Sequence, residues 1–294
     1  MLLVILPFAL TVELPLKYHD LVSSVRPRVQ RWHRLPTIDI DGLRFDYADT
    51  GRGIPVVFVA GLCGSKEWFC YQSAGLSDHF RVIACGLRRA RGPDYPLDLL
   101  VDDLAKLLSA LRIHAAAVAG YSLGGLVALR FAICHADRCL ALVLASTAPS
   151  FASLSEEEIE STMMLGELRP ESPWVRLWRS IVGFKEPRQD LSDPLAHLAR
   201  QNGGIDRATL NARIKLMRET DLRLQLGEVE APVLVIAGSR EEPCILAGSQ
   251  ILDQELPDSS LEVIEDADQF HFCLRHDLFN AAVADFLCTK IKRL

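Results

Sequence analysis

The chain has 294 residues, 49% of them apolar and 24% charged, the balance of a globule with a sizeable core rather than of a disordered or fibrous chain. A net charge of −6 with scattered basic residues gives no reason to expect nucleic acid or an anionic surface as a partner. Eight cysteines without a single CxxC pair argue against a disulfide scaffold and against a zinc site. Several of them lie in apolar runs, where a free thiol serves as a small hydrophobe, so the expected setting is reduced and cytoplasmic.

The first 36 residues form an apolar and mixed leader. Its run Leu2-Leu3-Val4-Ile5-Leu6-Pro7-Phe8-Ala9-Leu10 lacks the basic start and the cleavage site of a signal peptide. It is also too short to cross a bilayer as a helix. The expectation is a segment that packs on the domain or on the partner in a homodimer; membrane association through residues 2–10 and a misplaced start codon are the alternatives.

From residue 37 onward two periods alternate. Strands are expected at Leu43–Ala48, Val56–Ala60, Val82–Cys85, Ala116–Ala119, Ala141–Ala145, Val233–Ala237 and Leu261–Ile264. Between them lie helical patterns such as 97–111, with apolar positions Leu99, Leu100, Leu104, Leu107, Leu108 and Leu111 at three-to-four spacing. Near-continuous apolar strands alternating with helices predict an α/β fold, a mostly parallel doubly wound sheet covered on both faces. The alternation breaks between 150 and 228. This helical, charge-rich stretch has a plausible helix start at Ser155-Glu156-Glu157-Glu158 and carries Met163, Met164, Trp174 and Trp178. The expected organisation is therefore a core of 37–149 and 229–294 with an inserted helical cap of 150–228.

One motif stands out. Gly120-Tyr121-Ser122-Leu123-Gly124 fits G-x-S-x-G, follows the apolar run Ala115–Ala119 and opens the helical run Leu126–Ala132. So tight a strand-to-helix turn strains the serine and leaves no room for side chains at the two glycines. The serine hydroxyl is thereby held above the carboxyl end of the sheet, where a helix N-terminus favours developing negative charge.

With this context the chain resembles the α/β-hydrolase superfamily of esterases, lipases and lactonases, from about residue 37 to 290. Val57-Phe58-Val59-Ala60-Gly61-Leu62 resembles the strand and turn of the oxyanion loop, with Ala60 where relatives usually have His. The resemblance implies an oxyanion hole made by the backbone N–H groups of Leu62 and Leu123. Gly86-Leu87-Arg88-Arg89-Ala90-Arg91-Gly92 departs from the usual Asp-x-Arg-Gly-x-Gly loop. For the triad acid, the resemblance implies Glu241, three residues after Gly238, with Glu242 as its rival.

The triad histidine is the larger departure. Relatives place it ten residues before an aromatic and seventeen before the Phe of a Phe-Leu near the end of the last helix. Here Phe279 and Phe286-Leu287 stand ten and seventeen residues after Gln269. Glutamine has no basic nitrogen near neutral pH, and serine needs a base to give up its proton. The nearest histidine is His271. Three readings stay open: His271 reaches the site by a loop shift, the fold is a degenerate hydrolase that now binds a ligand, or the glutamine is a substitution that traps substrate. His79, His114 and His135 receive no role.

The expected activity is that of a serine hydrolase for an ester, thioester or lactone. Ser122 is the nucleophile, His271 the candidate base and Glu241 the group that orients it. Apolar cap residues point to a small apolar acyl substrate or ligand. No metal-ligand spacing, P-loop or G-x-G-x-x-G is present, so no cofactor and no metal are expected. The alternative is a catalytically impaired protein of the same fold serving as a small-ligand binding module, and a further one is lyase or C–C bond chemistry on that fold.

Overall fold

A computed structural model describes residues 36–92, 94–154 and 205–291. The leader 1–35 and, within the expected cap, the helix start at 155–158 and Met163, Met164, Trp174 and Trp178 lie outside the described residues.

The seven expected strands are present, with one more at the amino-terminal end. They are β1 (Thr37–Ile40), β2 (Leu43–Gly51), β3 (Ile54–Val59), β4 (Phe80–Cys85), β5 (Ala116–Tyr121), β6 (Cys139–Ala145), β7 (Val233–Gly238) and β8 (Ser259–Ile264). β1 is additional to the sequence expectation. It pairs antiparallel with β2 through a two-residue turn whose Asp41 and Gly42 have φ of 54° and 73°, the backbone that Asp-Gly adopts in tight hairpins.

The strands form one sheet in the order β1-β2-β4-β3-β5-β6-β7-β8. β2 joins β4 antiparallel, and every pairing from β4 to β8 is parallel. β5 and β7 are buried along their whole length and β3 and β6 along most of it, which explains apolar runs without alternation.

Seven α-helices belong to the described residues: α1 (Cys70–Leu76), α2 (Leu97–Ala110), α3 (Leu123–Cys134), α4 (Arg207–Glu219), α5 (Pro243–Glu255), α6 (His271–Leu274) and α7 (His276–Lys290). None is long and apolar enough to cross a membrane. Crossovers between parallel strands are right-handed. The chain steps one way along the sheet from β3 through α1 to β4, and the other way through α2 and α3 to β5 and β6. The helices therefore fall on opposite faces: α1 packs on α7, and α2 packs on α3. The reversal occurs between β3 and β5, so the connections leaving their carboxyl ends run to opposite faces, the position at which such sheets generally bind ligands. Leu62 follows β3 and Ser122 follows β5.

None of the eight cysteines, all of them among the described residues, forms a disulfide. Burial pushes Cys70, Cys85 and Cys139 up to about 12, in keeping with small hydrophobes rather than nucleophiles.

Candidate active site

Ser122 has φ 53° and ψ −120°, a conformation that costs a non-glycine residue about 1–3 kcal/mol and persists only where the surroundings enforce it. They do so through the backbone. The Ser122 N–H donates to the Ala145 carbonyl at 3.0 Å, and the Ser122 carbonyl accepts from the Gly125 N–H and from Thr147 Oγ1, both at 2.8 Å. A Cβ on Gly120 would stand 2.2 Å from the Gly124 carbonyl oxygen, and one on Gly124 would stand 2.2 Å from that of Val59. Both glycines are thus sterically required. Ser122 occupies the N-cap position of α3 without using its hydroxyl as a cap.

The β3 loop lies directly against this elbow, since a Cβ on Gly61 would meet Ser122 Cβ at 3.1 Å. Residues 61–64 form a turn closed by the Gly64 N–H to the Gly61 carbonyl, 3.2 Å. Leu62 sits inside that turn, and among the described residues no backbone acceptor takes its N–H. Leu123 opens α3, so its N–H has no intrahelical acceptor. The two expected oxyanion donors thus flank the serine. The adjacent Cys63 thiol is pushed up to about 11 by burial, partly offset by the nearby Arg213 charge, so it stays protonated beside the turn.

The acid comes from the loop after β7. Glu241 is buried, whereas Glu242 is exposed at the N-cap of α5. Glu241 Oε1 accepts from the Gly238 N–H at 2.9 Å and from Ser146 Oγ at 2.6 Å, and His271 Nε2 lies 3.2 Å from it. Its Oε2 has no hydrogen-bond partner among the described residues. The loops after β7 and β8 are laced together: Ser239 N–H donates to the Ile264 carbonyl and Arg240 N–H to that of Ala267. Both loops consequently hold their side chains in one frame.

His271 opens α6, is fully buried, and stacks on Phe279 at 5.6 Å. Its Nε2 is 2.8 Å from Ser146 Oγ. One assignment of protons satisfies the cluster: Nε2–H donates toward Ser146 and Glu241 while the Ser146 hydroxyl donates to Glu241 Oε1. The assignment follows from the hydrogen-bond network. It leaves Nδ1, buried and unpartnered among the described residues, as the basic nitrogen. No hydrogen bond among the described residues joins Ser122 to His271. Gln269 lies on the turn between β8 and α6, half-buried, with its carbonyl 3.1 Å from Ser146 Oγ. Asp268 closes this turn by accepting the Phe270 N–H at Oδ1 and the His271 N–H at its carbonyl.

Two residues of this region carry no sequence motif. Ser146, immediately after β6 and with φ 46°, bridges the acid and the histidine. Arg213 reaches from α4 to the Leu62 carbonyl. Ser146 had one available signal, its place at the carboxyl end of a strand in line with Ser122. Tyr121, just before the nucleophile, is buried against Phe272 (4.6 Å) and Trp68 (5.9 Å). Burial, with the charges of Glu241 and Asp268 adding to it, holds its phenol well above the usual value, so it stays neutral.

Comparison with known proteins agrees with this fold. The model of a family described as alpha/beta hydrolase fold matches residues 54–174. A putative 2-succinyl-6-hydroxy-2,4-cyclohexadiene-1-carboxylate synthase of Bacillus subtilis is 29% identical over 265 residues, covering 84% of this chain and 96% of that protein. The 3-oxoadipate enol-lactonase 2 of Acinetobacter baylyi is 26% identical over 243 residues, covering 80% and 90% respectively. Among solved structures, the enol-lactonase from Burkholderia xenovorans LB400 superposes with a TM-score of 0.68 at 23% identity, covering 86% of this chain and all of that one (100%); at that identity the likeness speaks for the fold.

Proposed function

Because the chain belongs to the α/β-hydrolase superfamily, we propose that it is a serine hydrolase that opens a small apolar ester, thioester or lactone. The observation that carries this reading is the strained Ser122 at the β5–α3 turn, φ 53° and ψ −120°, with the Leu62 turn packed against it. Strain of this kind is kept where a reactive side chain must be presented. A relative named as an enol-lactonase supports the lactone among the three substrate classes.

In this reading Ser122 Oγ bonds to the carbonyl carbon and its proton passes to His271 Nδ1. The charge that develops on the carbonyl oxygen is taken by the N–H groups of Leu62 and Leu123. Glu241 and Ser146 hold the opposite nitrogen, Nε2, and stabilise the imidazolium that forms. Collapse of the adduct expels the leaving oxygen or sulfur, which takes the proton from Nδ1. Water then cleaves the acyl-enzyme with the same nitrogen as base. The transfer requires the 268–271 turn to bring His271 to Ser122.

A fluorophosphonate probe tests the reading. Labelling of the full chain that disappears in Ser122→Ala, with a burst of p-nitrophenol from a p-nitrophenyl ester, supports it. A second reading, a ligand-binding module, is favoured by Gln269 at the usual histidine place and by the missing Ser122–His271 bond. It predicts neither labelling nor a burst, but thermal stabilisation by apolar carboxylic esters.

A further inference from the structure

Resting on the serine-hydrolase reading, we propose that Arg213 is a positioning residue that locks the oxyanion turn and gives α4, near the end of the cap stretch, control over it. Arg213 is 1% exposed, and a buried guanidinium is retained only where its donors are used. Here they are used on backbone. Nη1 donates to the Leu62 carbonyl. Nη2 donates to the carbonyls of Leu87 (2.8 Å) and Arg88 (3.1 Å), and Nε to the Tyr95 hydroxyl at 3.3 Å. Among the described residues no carboxylate pairs with it. The neighbouring Arg88 takes the nearby acid instead, in a two-pronged bond to Asp103.

The target of Nη1 matters more than the number of bonds. Leu62 is the second residue of the 61–64 turn, so its carbonyl belongs to the turn's central peptide. That peptide is the one that reverses when a β-turn passes between types I and II. A guanidinium on the Leu62 oxygen blocks the reversal and stiffens the span that carries the Leu62 N–H. It also sets a permanent positive charge beside the place where an oxyanion forms, without touching substrate. The same helix is fastened to the loop after β4 a second time: Thr209 Oγ1 accepts the Ala90 N–H at 3.0 Å, and Asp206 caps the helix on the Thr209 N–H at 2.8 Å. The altered loop Arg88-Arg89-Ala90-Arg91 is therefore the seat against which α4 holds Arg213 in place.

The test compares wild type with Arg213→Met, which keeps bulk and loses charge and donors, and Arg213→Lys, which keeps charge and loses the fork. The expected result for Arg213→Met is a fall in kcat of about 10- to 100-fold, short of the full loss of an oxyanion donor, with KM within about twofold. Affinity for an alkyl trifluoromethyl ketone, whose adduct on Ser122 carries the oxyanion, falls in step with kcat, and Arg213→Lys recovers part of both. Amide hydrogen exchange of residues 61–64 becomes faster in Arg213→Met. Unchanged kcat and ketone affinity in either folded variant, or a rise in KM alone, overturns the proposal. Should Arg213→Met fail to fold, Arg213→Lys decides on the same readouts. Should wild type neither turn over nor label, the serine-hydrolase reading fails by itself, and exchange at 61–64 then decides: faster exchange upholds the lock, unchanged exchange overturns it.

Discussion

On the elbow side of the candidate site, Ser122 is fixed by main chain. Its N–H and carbonyl are both engaged, two glycines leave no space for movement, and β5 and α3 are buried around it. On the acid–base side, the carboxyl ends of β6, β7 and β8 converge through side chains: Ser146, Glu241 and His271 share one small hydrogen-bonded cluster, with Glu241 Oε2 and His271 Nδ1 left unpartnered among the described residues. Backbone geometry of the first kind survives most substitutions. A side-chain cluster of the second kind can lose its arrangement with one residue. The elbow is thus more robust than the side-chain cluster beside it.

The largest expected effects lie on the acid–base side. His271→Ala should lower kcat for p-nitrophenyl ester hydrolysis by about 10⁴ or more, the scale of losing a triad base. Gln269→Ala should stay within about threefold. A strong loss in Gln269→Ala with His271→Ala indifferent breaks the comparison, because the base would then lie outside the cluster. Next, Glu241→Gln keeps the shape of the acid but removes its charge and disturbs the proton order around Ser146. The expected loss is about 10²–10⁴ in kcat, measured beside Glu242→Gln, which should be silent because Glu242 is exposed on the helix start.

The elbow side answers to stability instead. Gly124→Ala places a methyl 2.2 Å from the Val59 carbonyl oxygen and 2.7 Å from that of Ala60, both backbone atoms that have no side chain to swing aside. A loss of about 3 kcal/mol in chemical denaturation is expected, with Ser122 no longer labelled in whatever folds. A well-folded, labelled Gly124→Ala would show that the β3 loop yields and that the elbow is less rigid than its packing implies.

Legibility in the sequence divides along the same line. The sheet could be read because β5 and β7 are buried on both faces, so their strands are apolar without alternation. The elbow could be read because steric exclusion acts on residues close in sequence and leaves only glycine at Gly120 and Gly124. β1 was within reach as well: Ile38 and Ile40 alternate before Asp41-Gly42, a local hairpin signal. Glu241 was placed by its distance from Gly238, and the structure distinguishes it from Glu242 by burial. Ser146 and Arg213 were not legible for a physical reason. Their roles come from partners 95 and 151 residues away, Glu241 and Leu62, and a serine after a strand or an arginine within a helix carries no local mark of such a bond.

The smallest expected effect concerns the packing behind the acid–base side. His276 opens α7 next to the short helix that starts with His271, and its ring stacks on Tyr71 of α1 at 4.6 Å, nearly parallel at 9°. Burial holds the His276 pKa below its ordinary 6.5, with Asp277 pulling weakly the other way. The folded state therefore prefers the neutral ring. Above the unfolded value both states are uncharged and the contribution is complete; as pH falls through that value the unfolded chain takes up the proton first, and stability declines until the folded ring also titrates. Urea midpoints between pH 7.5 and 5 should drop toward acid in wild type, and His276→Gln should flatten part of that slope. A slope identical in the two proteins would leave His276 without a part in the acid response.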